Sequence, residues 1–566
     1  MVLAAESQLR LDANWIDYLL VALYFAFVIG IGLMAKRSVS TGLDFFLSGR
    51  SLPAWVTGLA FISANLGAVE VMGMSANGAQ FGVPTVHYFW IGAVPAMLFL
   101  GIVMMPFYYG SKVRSVPEFM RRRFGTGAHL VNALSFAIAQ LLIAGINLFL
   151  LAKILNILLG WNLYVSLVVA AAIVLSYITL GGLSAAIYNE VLQFFIIVAA
   201  LLPLTLVGLH KVGGYGGLKD KITSAGDGEA QLSSWPGTNL TAIDSPLLSV
   251  IGLVFGLGFV LSFGYWTTNF VEVQRAMASN SISAGQRAPI IGSFPKMFVP
   301  FIVIFPGMIA AVVASEVADA KASGDPNFDY NNSLLYLIRD LLPNGMLGIA
   351  ITGLLAAFMA GMAANVSAFN TVFSYDLWET YIVKDRSDDY YLGVGRIATV
   401  GATIVAIGTA LIARNYQNIM DYLQTLFGFF NAPLFATFIL GMFWKRMSAT
   451  AGWMGLVSGT LAAVLVGVIS TDVLGPMSQG WIALSGQGAS FVAATAAFVV
   501  DIVVSIIATL MTSPKPEPEL RGLVYSLTPR SDFHDENEAA LAWYQQPNRL
   551  ALISLIMVII LNIAFW

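Results

Sequence analysis

The sequence predicts an all-α polytopic membrane protein with about 14 transmembrane helices. Of its 566 residues, 58% are hydrophobic and only 10% charged, against roughly a quarter charged in a soluble domain. Apolar runs of about 20 residues recur along the whole chain, the length that crosses roughly 30 Å of hydrocarbon. Lysine and arginine fall on alternate connecting segments, as the positive-inside rule requires of a correctly counted bundle.

In order, the spans read 15–35, 52–80, 84–109, 128–159, 162–180, 184–209, 247–274, 289–315, 345–382, 392–413, 418–444, 450–470, 488–512 and 549–566. The basic residues divide 19 against 7 between the two sides, with Lys153 and Lys296 inside spans. Segments after odd-numbered spans hold the majority, so both termini are expected outside the cytoplasm. Met1 to Asn14 lacks the basic and apolar regions of a cleaved signal, and is expected to be retained. Segments 210–246 and 316–344 carry Gly, Asp, Asn and Pro and read as outer loops, the second with a short surface helix near Leu334 to Leu342.

Composition also excludes. There is no cysteine, and four scattered histidines give no zinc spacing. A net charge of −3 without a basic run leaves nothing to bind nucleic acid. Asp388-Asp389 is the adjacent acidic pair that an enzyme reading would need, and it sits in a positive inner segment where a solvated face explains it. No cofactor is expected from the composition, and the bilayer is the partner it implies.

Charges inside spans are costly and usually functional, about 2.5–3.5 kcal/mol at the centre of an inserted helix. Glu70 and Lys296 lie deepest, Glu190 lies near a span start, and Asp376, Glu272 and Asp501 lie nearer the inner ends, the last two read as structural. The second span, Phe61 to Gly73, is small and polar where a lipid-facing helix would be leucine-rich, which implies a broken helix. Leu261 to Asn269 of the seventh span does likewise, and paired interruptions in two halves point to a midplane binding site; tight packing through small residues is the alternative. Spans 2–6 and 7–11 would form two halves of five helices. An odd number inverts the second half, giving the boundaries 1–51, 52–209, 210–246, 247–446 and 447–566 for tail with first helix, first repeat, outer loop, second repeat and added helices.

An ordered set of motifs resembles the sodium/solute symporter family, nearest its sodium/glucose (galactose) cotransporter branch. They are Asp44 to Trp55, Ser63-Ala-Asn-Leu66 with Gly73-Met-Ser75, Ser115-Val-Pro-Glu-Phe119, Gly181 to Gln193, Tyr265-Trp266, Gln274-Arg275, Lys296 with Pro300, and Tyr422-Leu-Gln424. The resemblance implies a LeuT-like core of two inverted five-helix repeats and alternating-access symport of a sugar such as galactose or glucose. Asn65, Lys296 and Gln424 match sugar-bonding positions, Tyr265 matches an aromatic gate beside Trp266, and Asn269 belongs to the same interrupted segment. The family's polar residue after the break is Glu70 here, a glutamate in the next span falls on Phe89, and a nearby serine falls on Gly92. Glu70 is placed either to supply the missing carboxylate or to pair with Lys296. The family's sodium ligands match main-chain oxygens at Ser63, Leu66 and Ala357, but its two hydroxyls fall on Ala360 and Gly361. Hydroxyls of a second cation site fall on Ala363 and Ala364, and its aspartate on Glu190. Sodium coupling, proton coupling through Glu70 or Glu190, and an uncoupled carrier or sensor all stay open. A bacterial cytoplasmic membrane suits the charge pattern.

Overall fold

The computed structural model describes residues 9–36, 47–67, 69–111, 113–225, 228–235, 238–243, 245–325, 327–471, 474, 477–484, 486–529, 531, 535, 538 and 540–566. The start of the Asp44 motif, Lys112 and the first eight residues of the tail therefore lie outside the described residues. Everything regular in the described part is helical, because lipid offers no partner to an unpaired backbone amide.

The long elements are α1 (Trp15–Lys36), α2 (Ala54–Asn65), α3 (Val69–Phe81), α4 (Val83–Gly110), α5 (Val116–Phe124), α6 (Thr126–Leu159), α7 (Leu163–Val212), α8 (Pro246–Thr268), α9 (Phe270–Met277), α10 (Ile282–Val313), α11 (Met346–Ile382), α12 (Asp388–Ala413), α13 (Ile419–Phe443), α14 (Ala449–Ile469), α15 (Gly486–Met511) and α16 (Pro547–Ala564). Among the described residues, twelve helices are long and apolar enough to cross a membrane, and α2 with α3 form a thirteenth, broken span bent by 58°. The fourteenth expected span is the shorter apolar stretch Leu163–Ser176, which runs on helically into Leu183–Val212 as the 50-residue α7. The glycine pair between them does not end the helix, since mid-helix glycine costs only about 1 kcal/mol. Segment 210–246, expected as an outer loop, is not simply loop: it holds helices Gly214–Ser224, Gly228–Leu232 and Thr238–Thr241. The expected surface helix is present as Ser333–Leu341.

α11 is buried along nearly its whole length, packed on α7 and α6. α10 crosses α2, and its second half crosses α3 at glycine contacts: a Cβ on Gly307 would lie 1.9 Å from Ser75 O, and one on Gly78 2.3 Å from Ile304 O. α14 and α15 pack on each other beside α13, and α1 and α16 keep exposed apolar faces at the periphery. α5 is capped by Ser115, which accepts from the Glu118 amide at 3.0 Å. Burial pushes the Glu118 carboxyl up, but the Arg114 amide at 2.7 Å and Arg122 at 2.7 Å outweigh it and hold its pKa below the usual range. The buried Arg123 guanidinium donates to Gly441 O, Trp444 O and Met447 O at 2.8–3.1 Å, satisfying carbonyls that the C-terminus of α13 leaves open.

Candidate functional site

Both interrupted spans open on one cavity of about 770 Å³, its mouth included, lined by Asn65, Glu70, Tyr88, Asn147, Ser262, Tyr265, Trp266, Asn269, Lys296, Asn365, Gln424 and Phe427 among others. α2 ends at Asn65 because Leu66 turns out of the helical region (φ −71°, ψ 45°). α3 resumes with a wide π-helical turn, Val69–Gly73, that carries Glu70. In the second break Asn269 adopts extended backbone (φ −71°, ψ 114°), and its side chain accepts from the Val271 amide at 3.0 Å. Asn269 is thus the N-cap of α9 as well as part of the cavity wall.

The polar centre is Lys296, 2% exposed on α10. Its ammonium meets Glu70 Oε1 at 2.6 Å and also donates to Asn65 Oδ1. It stands 4.7 Å from the ring centroid of Phe89 and 5.1 Å from that of Trp266. An aromatic face thus occupies the position of the family's glutamate, with the cation drawn to its quadrupole. Of the two roles open to Glu70, the pairing with Lys296 is the one seen, and the carboxylate stays 11% exposed towards the cavity. Asn65 Nδ2 in turn donates to Tyr265 Oη at 2.9 Å, and Tyr265 Oη donates to Glu272 Oε1 at 2.7 Å. Tyr265 lies against Phe427 (4.5 Å) and edge-on to Trp266 (5.2 Å), which itself stacks on Phe61 (5.6 Å). Gln424 lines the same cavity without a hydrogen-bond partner among the described residues. A Cβ on Gly92 would fall 2.3 Å from Ser262 Oγ. The hydroxyl missing at position 92 is therefore replaced in space by one from α8.

The positions at which the resemblance implies cation ligands are differently arranged. Ser63 Oγ is buried without a hydrogen-bond partner among the described residues. Gly67, just past Leu66, packs on α11 so closely that a Cβ there would lie 3.1 Å from Gly361 Cα and 3.7 Å from Ala357 O. A Cβ on Gly361 would lie 2.6 Å from Asn147 Oδ1 and 3.0 Å from Gly67 Cα. The missing side chains at Ala360 and Gly361 thus accompany a direct approach of the two backbones, with the Asn147 carboxamide oxygen beside them. Asn365 Nδ2 donates to Gly361 O at 2.8 Å. Glu190 lies elsewhere: both its oxygens are held by Arg275, at 2.6 and 3.2 Å, with both side chains essentially buried.

Sequence reasoning brought Asn65, Glu70, Tyr265, Trp266, Asn269, Lys296 and Gln424 forward, and the structure gathers all seven on one cavity. It passed over Glu272 as structural and did not raise Ser262 or Asn147. Glu272 sits seven residues after Tyr265, which in an unbroken helix is two turns away; the chain break at Asn269 brings them together. Asp501 accepts hydrogen bonds from Thr437 at 2.8 Å and Ser505 at 3.1 Å. Asp376 meets the buried His129 at 2.9 Å. The Tyr88 hydroxyl bonds Gln487, which bonds Asp421 one turn before Gln424.

Comparison with known proteins bears on the family and the fold. The chain is 29% identical over 467 residues to the sodium/glucose cotransporter of Vibrio parahaemolyticus, covering 80% of this chain and 85% of that protein. It is 30% identical over 490 residues to sodium/glucose cotransporter 4 of Danio rerio, covering 82% and 73%. Among solved structures, a substrate-bound, outward-open Na+-coupled sialic acid symporter superposes with a TM-score of 0.73 at 18% identity, over 89% of this chain and 99% of that one, which shows the shared LeuT-like fold. The model of the sodium:solute symporter family matches residues 45–459. The chain belongs to the sodium:solute symporter family and is a membrane transporter, not an enzyme.

Proposed function

We propose that this transporter carries a small hydroxyl-rich solute, a sugar such as galactose or glucose, by alternating access and in symport with a cation. The observation that carries the reading is the set of donors and rings around one cavity: Lys296, Asn65 and Gln424 beside Trp266 and Tyr265. A sugar ring offers hydroxyls that both donate and accept, together with an apolar C–H face. Amide and ammonium groups satisfy the hydroxyls, and an indole or phenol ring covers the face. Glu70 fits as the acceptor that position 89 no longer supplies: Oε1 is held by Lys296, leaving the second oxygen for a solute hydroxyl.

Several further assignments go with this reading. Two repeats over 52–209 and 247–446 would enclose the cavity, consistent with a helix break in each. The distribution of basic residues supports termini outside the cytoplasm, and a bacterial inner membrane suits it. The sugar cotransporter relatives support sodium as the coupling ion, while the close packing of Gly67 on Gly361 supports a different arrangement at Ser63, Leu66 and Ala357. The test is counterflow and net uptake of labelled D-galactose and D-glucose in proteoliposomes, under separately imposed sodium and proton gradients. Absence of solute-specific flux for either sugar would overturn the sugar assignment. Equilibration without accumulation under both gradients would identify an uncoupled carrier.

A further inference from the structure

The buried groups at the heart of the molecule do not balance in charge. Three acids, Glu70, Glu190 and Glu272, face two bases, Lys296 and Arg275. Glu70 is taken by Lys296 at 2.6 Å, and Glu190 holds Arg275 through both oxygens. Glu272, fully buried, is left with the neutral Tyr265 hydroxyl as its one hydrogen-bond partner, and its Oε2 has none among the described residues. A buried carboxylate without a cation is strongly disfavoured and resolves its cost by taking up a positive charge. A sodium ion would need several oxygens gathered around it. A proton needs only the one.

We propose that Glu272 is the proton-binding site of this carrier, loaded from the outer aqueous phase and emptied to the inner one in step with the solute. The proposal rests on the transport reading above and departs from it on one point: the relatives support sodium as the coupling ion, whereas the unpaired Glu272 points to a proton in this chain. Each cycle leaves the carboxyl as it began: Glu272 carboxylate gains a proton outside and loses it inside, so one positive charge accompanies each solute.

The hydrogen-bond chain gives the coupling. An ammonium can only donate, so Lys296 fixes Asn65 with Oδ1 towards itself and Nδ2 towards Tyr265. Tyr265 Oη must then accept from Asn65, and its single proton goes to Glu272. That arrangement favours the charged carboxylate. A solute that takes over the donors of Lys296 and Asn65 frees the Tyr265 oxygen to accept, which favours a protonated Glu272. Solute and proton therefore promote each other's binding, and the linkage is reciprocal.

Other charged groups around α9 leave this inventory intact. Arg275, Lys296 and Glu190 act on Glu272 electrostatically and are paired as described. Of the elements packed on α9, α2 and the Met346–Thr371 part of α11 carry no titratable side chain. α4 contributes Tyr108 and Tyr109, which donate to Thr267 O and Ser279 O at 3.0 and 2.9 Å. α10 adds Arg287, held on Ser283 O at 3.3 Å.

The experiment has two arms on the full chain. In the first, pH-difference infrared spectra of purified protein are compared between wild type and Glu272→Gln. A carboxylic-acid carbonyl band that titrates in the wild type and is missing from E272Q is expected, with its midpoint moved by Tyr265→Phe, which removes the one donor to the group. An unchanged band in E272Q refutes the proposal, as does one in the wild type that Y265F does not move; a band shifted by sodium at constant pH assigns the site to sodium instead and overturns it equally. In the second, labelled D-galactose uptake is driven by an inward gradient of one pH unit without sodium. Wild type should concentrate the sugar up to about tenfold at one proton per solute, whereas E272Q should bring it to about equal concentrations. If neither protein carries galactose, the sugar assignment fails, while the infrared arm still decides the fate of Glu272.

Discussion

Removal of Arg275 is the most demanding test of the buried architecture, because its consequences can be worked out from the geometry. The guanidinium is buried and makes four contacts: Glu190 Oε1 at 2.6 Å, Glu190 Oε2 at 3.2 Å, Val271 O at 2.9 Å and Gln274 Oε1 at 3.1 Å. Together these tie α7 to α9, and Gln274 extends the tie to Thr371 of α11 at 2.8 Å. Arg275→Met keeps most of the volume but leaves Glu190, 1% exposed, as a buried charge without a partner. Breaking a buried pair in this way costs about 3–5 kcal/mol, roughly 10²- to 10⁴-fold in the folded fraction. Glu190→Gln should cost less, since the amide oxygen still accepts from Arg275 and three of the four acceptors survive. The double variant E190L/R275M removes both charges and should recover much of the loss, because replacing a buried pair with apolar groups is often neutral. The assay is the apparent melting midpoint of the detergent-purified full chain, followed by tryptophan fluorescence. The expected order is wild type, double variant, E190Q and then R275M, with the first two close together. A double variant as unstable as R275M, or an R275M protein as stable as wild type, would falsify the view that the pair is held by mutual charge compensation.

Three further outcomes follow from the cavity. Lys296→Ala and Gln424→Ala should each weaken binding of the transported sugar, Lys296→Ala the more, since a hydrogen bond to a charged group contributes about 1.5–3 kcal/mol, roughly 10- to 150-fold; wild-type affinity in both, measured by equilibrium binding, removes these residues from the site. Glu70→Gln should change sugar affinity but leave the driving ion the same, and loss of proton-driven accumulation in E70Q would move the coupling role from Glu272 to Glu70. Gly361→Ala must find room for a Cβ 2.6 Å from Asn147 Oδ1 and 3.0 Å from the Gly67 backbone, an overpacking of about 1–3 kcal/mol; a melting midpoint and transport rate equal to wild type would show that α11 and the helix break are not in close contact.

Much of the fold was legible in the sequence because insertion into lipid is a property of each segment by itself. Twenty apolar residues satisfy their own backbone and cross, whatever the rest of the chain does. The break after Asn65 was legible for a similar reason: Ser63 to Gly67 is too polar and small for a lipid-facing helix. The depth of Glu70 and Lys296 was readable too, and their pairing was one of two stated options.

The tertiary structure decided the rest. That Ser262 fills the space beside Gly92, that Asn147 lies against both Gly67 and Gly361, and that Arg275 is the partner of Glu190 are facts about pairs of residues far apart in the chain. Hydropathy and motif order score residues one at a time and say nothing of which buried charge meets which. Glu272 shows the consequence: by sequence it is an acid near the inner end of a helix, and only the fold shows that Tyr265 donates to it at 2.7 Å while Arg275 and Lys296 are each paired with another acid. In a low-dielectric interior the cost of a charge depends on its nearest partner, and that partner is chosen by the fold.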